Sequence, residues 1–334
     1  MSLPTPPPPE TIAALVDRFA PGGAARRLAP DASTRTFVRL VDAKGSRGVA
    51  VLDPRAGRAG RQRMKAAAAV LAEAGVRVPR LLDEDDELGA LLFEDLGDTL
   101  LADALPRLGA PERARIYGEA GALAARIAVT GTRLAGEAGT LSQPVLDRER
   151  LRTELALFAV QDVAGRRGIA DPGLMRELGA ILDRVAEKAA ALPRELAHRD
   201  FHARNLLLLE DGSLGVLDFQ DCLPAPRFYD LASLTRDPYV EPQQSLERAA
   251  LDGWRSAGGT PSHGEDPAFC VVALQRDLKA LGTYAHQIRI MGRTAFAEAI
   301  PRAERLAMRA LAGLPASDRA AFEDVLRRIG FPRP

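Results

Sequence analysis

Lysine is almost missing from this chain of 334 residues. Of 45 basic residues only Lys44, Lys65, Lys188 and Lys279 are lysines, leaving 41 arginines, so chemistry that requires an ammonium group has four candidates. Cysteine is scarcer. Cys222 and Cys270 lie far apart and form no CxxC pair, which excludes a disulfide framework and a structural zinc site and fits a reducing compartment. Excess charge is absent too: 45 acids balance the 45 bases. That removes the basic surplus expected of a nucleic-acid binder and the basic face of a peripheral membrane protein. No apolar run approaches the roughly 18 residues needed to span a bilayer, and the chain opens MSLPTPPPP rather than with a charged and then apolar signal sequence. The expectation is a cytoplasmic protein with no nucleic acid, no membrane and no obligate protein partner. With 46% apolar residues the chain can bury a large core, and its length suggests two domains or one bilobal unit.

Periodicity divides the chain. Residues 1–9 read as a Pro-rich polyproline II tail. Ile12, Leu15, Val16 and Phe19 then have helical spacing. From Arg26 to Leu52 the period becomes two: Phe37, Arg39 and Val41 alternate with Thr36, Val38 and Leu40, and a turn at 42–48 leads into Val49 and Val51, which predicts a hairpin. An Ala-rich stretch at 62–74, stopped by Gly75, predicts a helix. Two apolar segments at 78–82 and 90–93, separated by an acidic turn, predict two more strands. After Gly97 long helical patterns take over at about 111–128, 149–164 and 174–191, with one β interruption at 205–219 and helices from Tyr229 onward. The expected division is a β-rich lobe at 10–97 and a helical lobe at 98–334.

The β interruption is bracketed by HisArgAspPheHisAlaArgAsn at 198–205 and LeuAspPheGln at 217–220. A hairpin between them brings its ends together, so Asp200, Asn205 and Asp218 are expected to converge. Their hard oxygen donors suit Mg²⁺, which takes few protein ligands and completes its octahedron with water and phosphate. The set matches the kinase pattern, in which a loop Asp accepts the substrate proton while an Asn and a second Asp hold magnesium. An Asp followed five residues later by Asn is common by chance; the whole string, in order and around a hairpin, is not. His198 and His202 lack a third ligand at metal spacing, so a packed His198 and a substrate-facing His202 are the readings. Asp230, opening a helix, reads as an N-terminal cap, as an acid that hydrogen-bonds the catalytic loop, or as both.

On these segments the sequence resembles the aminoglycoside phosphotransferase superfamily of kinase-like folds, and within it the bacterial N-acetylmuramate/N-acetylglucosamine anomeric kinases. The likeness extends through AspAlaSerThrArgThrPhe at 31–37, ValLeuAspPro at 51–54, LeuLeuPheGluAspLeuGlyAsp at 91–98, TyrAspLeuAlaSerLeuThrArgAspProTyrVal at 229–240 and GlnArgAspLeuLysAlaLeuGly at 275–282. It implies an α+β, bilobal protein-kinase-like fold with a small β-rich N-lobe and a large, mostly helical C-lobe. It also implies ATP and Mg²⁺ as cofactors and the anomeric hydroxyl of an amino sugar as acceptor. In that reading Asp200 is the base, Asn205 and Asp218 hold magnesium, and Phe93, Glu94, Asp95 and Leu96 form the hinge against adenine. Two alternatives stay open: a kinase of aminoglycoside-type antibiotics, and a non-catalytic nucleotide-binding pseudokinase.

The scarcity of lysine now has a consequence. An ordinary kinase holds the α- and β-phosphates with a strand lysine paired to a helix glutamate. Here the strand reads GlyValAlaValLeuAspPro at 48–54, and Glu73 falls too late in the following helix. No GxGxxG covers the phosphates; the loop at 31–36 takes its place with Ser33, Thr34 and Arg35. Arginine can grip phosphate oxygens bidentately, so Arg35 is the first substitute, with Arg39 or Arg47 in reserve. Asp218 and Asp230 are only 12 positions apart, with no AlaProGlu motif, which leaves little room for a regulated activation segment or a protein-substrate platform and favours a small acceptor. His202, Arg204, Gln220 and Asp221 border the catalytic loop, and Arg276 and Lys279 share a helix face at i, i+3. These are the candidate acceptor contacts, Lys279 being suited to the lactyl carboxylate of N-acetylmuramate. Tyr284 and His286 on that helix read as core and surface.

Overall fold

The computed structural model describes residues 7–28, 35–53, 57–241 and 243–332. The chain divides into two compact units, Met1–Thr99 with Leu207–Asp221, and Leu100–Leu206 with Cys222–Pro334. The first is built on an antiparallel sheet and the second is mostly helical, so the α+β kinase-like architecture is observed. The hairpin segment from Leu207, assigned by the sequence reading to the C-lobe, groups with the first unit.

In the first unit α1 (Pro9–Phe19) starts on a proline, whose missing N–H would have no helical partner at that position. Five strands follow: β1 (Ala24–Leu28), β2 (Thr36–Asp42), β3 (Gly45–Leu52), β4 (Leu81–Asp85) and β5 (Ala90–Phe93), ordered β1-β2-β3-β5-β4. The alternation in β2 decides its faces. Val38 and Leu40 are fully buried and pack with Ala50, Leu52, Ala90 and Leu92 against Leu15 and Phe19 of α1. The β2–β3 turn is tighter than expected, only Ala43 and Lys44, because β3 already begins at Gly45. Helix α2 (Gly57–Glu73) starts earlier than its Ala-rich stretch and ends before Gly75, which takes a left-handed φ of 78°.

The strand expected at 78–82 is displaced. Pro79 cannot donate to a ladder, so β4 begins at Leu81 and runs into the acidic residues expected to form a turn. As an edge strand it leaves Leu81 and Leu82 exposed, and its acids are met by α1, where Arg18 Nη1 lies 2.9 Å from Asp83 and Nε 3.1 Å from Asp85.

In the second unit α4 (Ala110–Arg126) runs through a π-helical turn, Ile127–Gly131, into α5 (Thr132–Ala138) after the short α3 (Leu101–Ala104). Helix α6 (Arg148–Leu157) continues as a π-helical stretch to Arg166, and α7 (Pro172–Ala190) follows. A strand pair not expected from the sequence, β6 (Arg194–Ala197) with β9 (Leu223–Pro226), brackets in sequence the loop expected to be catalytic and the hairpin after it. The expected hairpin lies between them as β7 (Leu206–Leu208) and β8 (Leu214–Val216), with Asp211 Oδ1 accepting from Ser213 N at 2.9 Å in its turn. Then come α8 (Tyr229–Thr235), α9 (Gln244–Ser256), α10 (Pro267–Arg289), α11 (Ile300–Ala312) and α12 (Ala316–Arg328). Helix α10 is buried along most of its length, Phe269, Ala273, Leu274, Leu278 and Leu281 being fully enclosed. It is the central post of this unit. Among the described residues no helix is long and apolar enough to cross a membrane.

Candidate active site

In the second unit the catalytic loop leaves β6 and enters β7 over eight residues, and two buried acids fix its path. Asp230, in the first turn of α8, accepts from the backbone N–H groups of His198 at 2.7 Å and Arg199 at 2.9 Å. It therefore acts on the loop and caps nothing of its own helix, whose N-cap position is Phe228. Burial raises its pKa against these bonds and the His198 charge. The second acid, Asp237, accepts from Ala203 N at 2.8 Å. Between the two anchors Arg199 is held at a φ of 80°, a left-handed conformation that a side chain adopts only under constraint. Asn205 closes the loop, its Nδ2 donating to the Asp200 carbonyl at 2.8 Å; its Oδ1 is a hard oxygen donor by chemistry.

The Asp200 carboxylate sits 3.3 Å from Lys279 Nζ of α10. Burial would raise its pKa, but Lys279 foremost, then His202, Arg199 and Arg276, hold it well below the usual carboxylate range. Lys279 in turn is lowered by burial and raised more strongly by Asp200, with Tyr229 and Glu154, so it keeps its charge. Lys279 was expected to meet a substrate carboxylate; the carboxylate it meets is that of Asp200. Arg276, one turn earlier, is 5% exposed and donates from Nε to Ser233 Oγ at 2.6 Å, so it joins α10 to α8. His202 packs edge-on against Tyr239, and burial lowers its pKa. The Arg204 guanidinium lies over the Tyr239 ring at 3.9 Å. Tyr284 is buried against Tyr239 and stacks on Phe296.

The first unit carries the other expected residues. Asp218 follows β8 with a φ of 61°, and Gln220, 6% exposed, donates its amide to Asp218 Oδ1. Arg35 Nε lies 2.9 Å from Asp53 Oδ2 and its Nη2 3.3 Å from Asp221 Oδ1. Burial lowers the Arg35 pKa, but Asp221, Asp53 and Asp218 raise it further. Arg39 is committed elsewhere, to Asp95 at 2.7 Å and Asp98 at 2.6 Å, and Arg47 is a half-exposed partner of Asp42 at 3.5 Å. Ser33 and Thr34 lie outside the described residues.

In the segment expected to form the hinge, Phe93 is buried and meets Phe219 edge-on with centroids 5.9 Å apart. Glu94 donates its N–H to the Arg80 carbonyl at 2.8 Å. Its carboxylate, gripped by Arg77 and Arg80 and partly buried, is brought down to about 2. Asp95 accepts from Ser46 at 2.6 Å and from Gly97 N at 3.1 Å. Leu96 packs over Gly215, where a Cβ would meet its methyl at 3.0 Å. The acids of 93–96 are thus tied within the unit, and backbone groups and apolar faces are what the segment has to offer a ligand.

A loop aspartate held against a lysine and a second aspartate after a hairpin form the pattern of phosphoryl transfer, and the pattern of the phosphotransferase enzyme family matches residues 24–265. The chain belongs to that family. This phosphotransferase is 33% identical over 293 residues to an N-acetylmuramate/N-acetylglucosamine kinase of Pseudomonas aeruginosa, covering 85% of this chain and 83% of that one. It is 32% identical over 235 residues to a protein of the same name from Neisseria meningitidis serogroup B, covering 68% of each. Among solved structures it resembles the ADP-bound aminoglycoside phosphotransferase APH(2'')-Ib, with a TM-score of 0.60 at 14% identity over 89% of this chain and 99% of that one. It also resembles a choline/ethanolamine kinase family protein from Mesorhizobium loti, with a TM-score of 0.58 at 16% identity, covering 96% and 98%. The phosphotransferase is a small-molecule kinase by family and by its named relatives.

Two residues that brace the loop are not singled out by the sequence pattern. Glu154 of α6 accepts from Arg199 Nη2 at 2.5 Å and Gln275 Nε2 at 3.0 Å, bracing the residue before Asp200; nothing sets it apart from the solvated acids around it in sequence. Asp237 could have been found, since it lies inside the segment at 229–240 that carries the family likeness.

Proposed function

We propose that the enzyme transfers the γ-phosphoryl group of ATP to the anomeric hydroxyl of N-acetylmuramate, N-acetylglucosamine or both, giving the sugar 1-phosphate. The observation that carries the reading is the Asp200 carboxylate, ionised beside Lys279 on a loop anchored at both sides by Asp230 and Asp237. A base fixed in this way orients the acceptor oxygen and takes its proton as that oxygen attacks the γ-phosphorus in line and ADP departs. The named relatives supply the acceptor class, and the short path from Asp218 to Asp230 favours a small molecule over a protein. His202 and Arg204, next to Asp200 in the same unit, are the acceptor contacts we place first.

The donors suit magnesium. Asn205 Oδ1 and the carboxylate oxygen of Asp218 not bonded to Gln220 are hard ligands, and among the described residues no set of three or more His, Cys, Asp or Glu side chains is gathered into a dedicated metal cage. Magnesium takes few protein ligands and completes its shell with phosphate and water, so it needs none. When bound it neutralises the charge of the phosphates. Use of ATP, and two buried cysteines that form no disulfide with each other, support a reading of the enzyme as cytoplasmic.

The test is a screen of N-acetylmuramate, N-acetylglucosamine and a kanamycin-type acceptor with Mg·ATP, read by phosphorus NMR. A sugar 1-phosphate signal with an N-acetylated sugar is expected, falling by about 10³-fold or more in Asp200→Asn. Phosphorylation of the antibiotic alone would make this an antibiotic kinase, and nucleotide binding without any transfer would make it a pseudokinase.

A further inference from the structure

The kinase reading leaves one role unfilled, that of the cation on the α- and β-phosphates. None of the lysines fills it. In the first unit Lys44 belongs to the β2–β3 turn, and Lys65 Nζ is bound to Glu84 at 2.7 Å. In the second, Lys188 meets Asp318 at 2.8 Å and Lys279 meets Asp200.

The open end of the β2–β3 hairpin holds an alternative. Thr36 stands directly opposite Leu52 in the ladder, so Arg35 and Asp53 are the next cross-strand pair outward. Their side chains close an ion pair at 2.9 Å with little exposure, 15% for Arg35 and 7% for Asp53. A nearly buried carboxylate whose partner is a cross-strand guanidinium is a fixed element, unlike a surface ion pair. Through Nη2 the guanidinium also reaches the half-exposed Asp221, at the longer distance of 3.3 Å. Asp218 acts on the same guanidinium electrostatically, so the cation lies near the acid expected to carry magnesium.

We propose that Arg35 and Asp53 replace the strand-lysine and helix-glutamate pair of ordinary kinases. Arg35 binds oxygens of the α- and β-phosphates through its Nη2 edge, displacing Asp221, and Asp53 is the positioning residue that fixes the guanidinium through Nε. Both members of the pair come from one hairpin, so the acid need not come from α2. That accounts for a strand without lysine and a helix without a suitably placed glutamate. Arginine suits the position because its planar fork can bind a carboxylate on one edge and a phosphate on the other, which a single ammonium cannot do.

The proposal rests on the kinase reading, and nucleotide binding separates the two. Dissociation constants for ADP and for adenosine are measured calorimetrically on the full chain and on Arg35→Ala, Arg35→Lys and Asp53→Asn. Arg35→Ala is expected to weaken ADP by about 30-fold or more and adenosine by less than about twofold, since only ADP carries the phosphates. Asp53→Asn is expected to weaken ADP by about three- to tenfold with adenosine unchanged, because the guanidinium loses its alignment and keeps its charge. Should Arg35→Ala lose adenosine as well, the site has collapsed and Arg35→Lys decides: adenosine retained with ADP weakened about tenfold supports the fork, and ADP within about twofold of the parent overturns it. An Asp53→Asn effect equal for both ligands removes Asp53 from the phosphate role. If the parent chain binds neither ligand, it is the kinase reading that fails.

Discussion

At the scale of single residues the decisive contact is Lys279 against Asp200, 79 positions apart in sequence and 3.3 Å apart in the fold. A carboxylate that must face incoming phosphates is repelled by them, and a neighbouring ammonium both offsets that repulsion and fixes the orientation of the side chain. Lys279→Met is therefore expected to lower kcat by about 10- to 100-fold while the KM for ATP stays within about twofold, with Lys279→Arg recovering part of the loss. Steady-state kinetics with both substrates varied checks this, and an unchanged kcat would count against it. Both residues are legible in sequence because each lies in a distinctive string. Their contact is not, since helical spacing orders neighbours three and four apart and says nothing about which loop faces the helix. The same limit separated Asp230, whose two possible roles were both visible, from Glu154, whose role was not. Arg199 N–H and His198 N–H decide the first case, and only the folded position of α6 reveals the second.

At the scale of elements, close helix crossing carries much of the second unit. Helices α4 and α9 approach until a Cβ on Gly121 would lie 2.0 Å from the Ala250 carbonyl oxygen, and one on Gly253 only 1.8 Å from that of Gly118. Those neighbours are backbone atoms, so neither helix can yield without moving as a whole. Gly121→Ala is expected to cost about 1–3 kcal/mol or more and to lower the unfolding midpoint by several degrees. Gly136→Ala, on α5 with open space around it, is expected to be neutral or to stabilise by up to about 1 kcal/mol. Thermal unfolding of the two variants side by side gives the comparison, and an equal effect would remove the crossing as the cause. In sequence such a glycine is indistinguishable from one in a solvated helix. The long helices were legible because their apolar period persists, whereas the π-helical turns were not, since one extra residue per turn leaves no mark on composition. Strands β6 and β9 were missed for another reason: they are four residues each, and β9 contains Pro224 and Pro226, which read as loop.

For the whole molecule, the balance of 45 acids and 45 bases conceals two populations of carboxylates that respond to pH in opposite directions. Asp83, Glu94 and Asp98 are paired with arginine and lie below their ordinary range, Glu94 at about 2. Each binds fewer protons folded than unfolded, so its contribution to stability is complete above its unfolded pKa of about 4 and is lost as the pH falls through the folded value. His202, lowered by burial, acts on the same side, because the unfolded chain protonates it below about pH 6.5. Asp277 is the counterweight. Buried in α10, it is pushed up to about 7 by desolvation against the attraction of Arg276 and Arg236. The folded chain therefore holds its proton more tightly than the unfolded chain does, and the cost of ionising it grows as the pH rises from about 4 to 7. Burial raises Glu195 as well, with the same sign. The unfolding midpoint is accordingly expected to peak between about pH 5 and 7 and to fall on both sides, more steeply toward acid, where many pairs are lost together. Because Arg77 and Arg80 together hold Glu94, Glu94→Gln is expected to flatten part of the acid limb below about pH 4.5 and to leave the alkaline limb unchanged. Calorimetric scans from pH 3 to 8 on the parent and this variant would show it, and a midpoint that kept rising through pH 8 would mean that the buried acids carry no net cost.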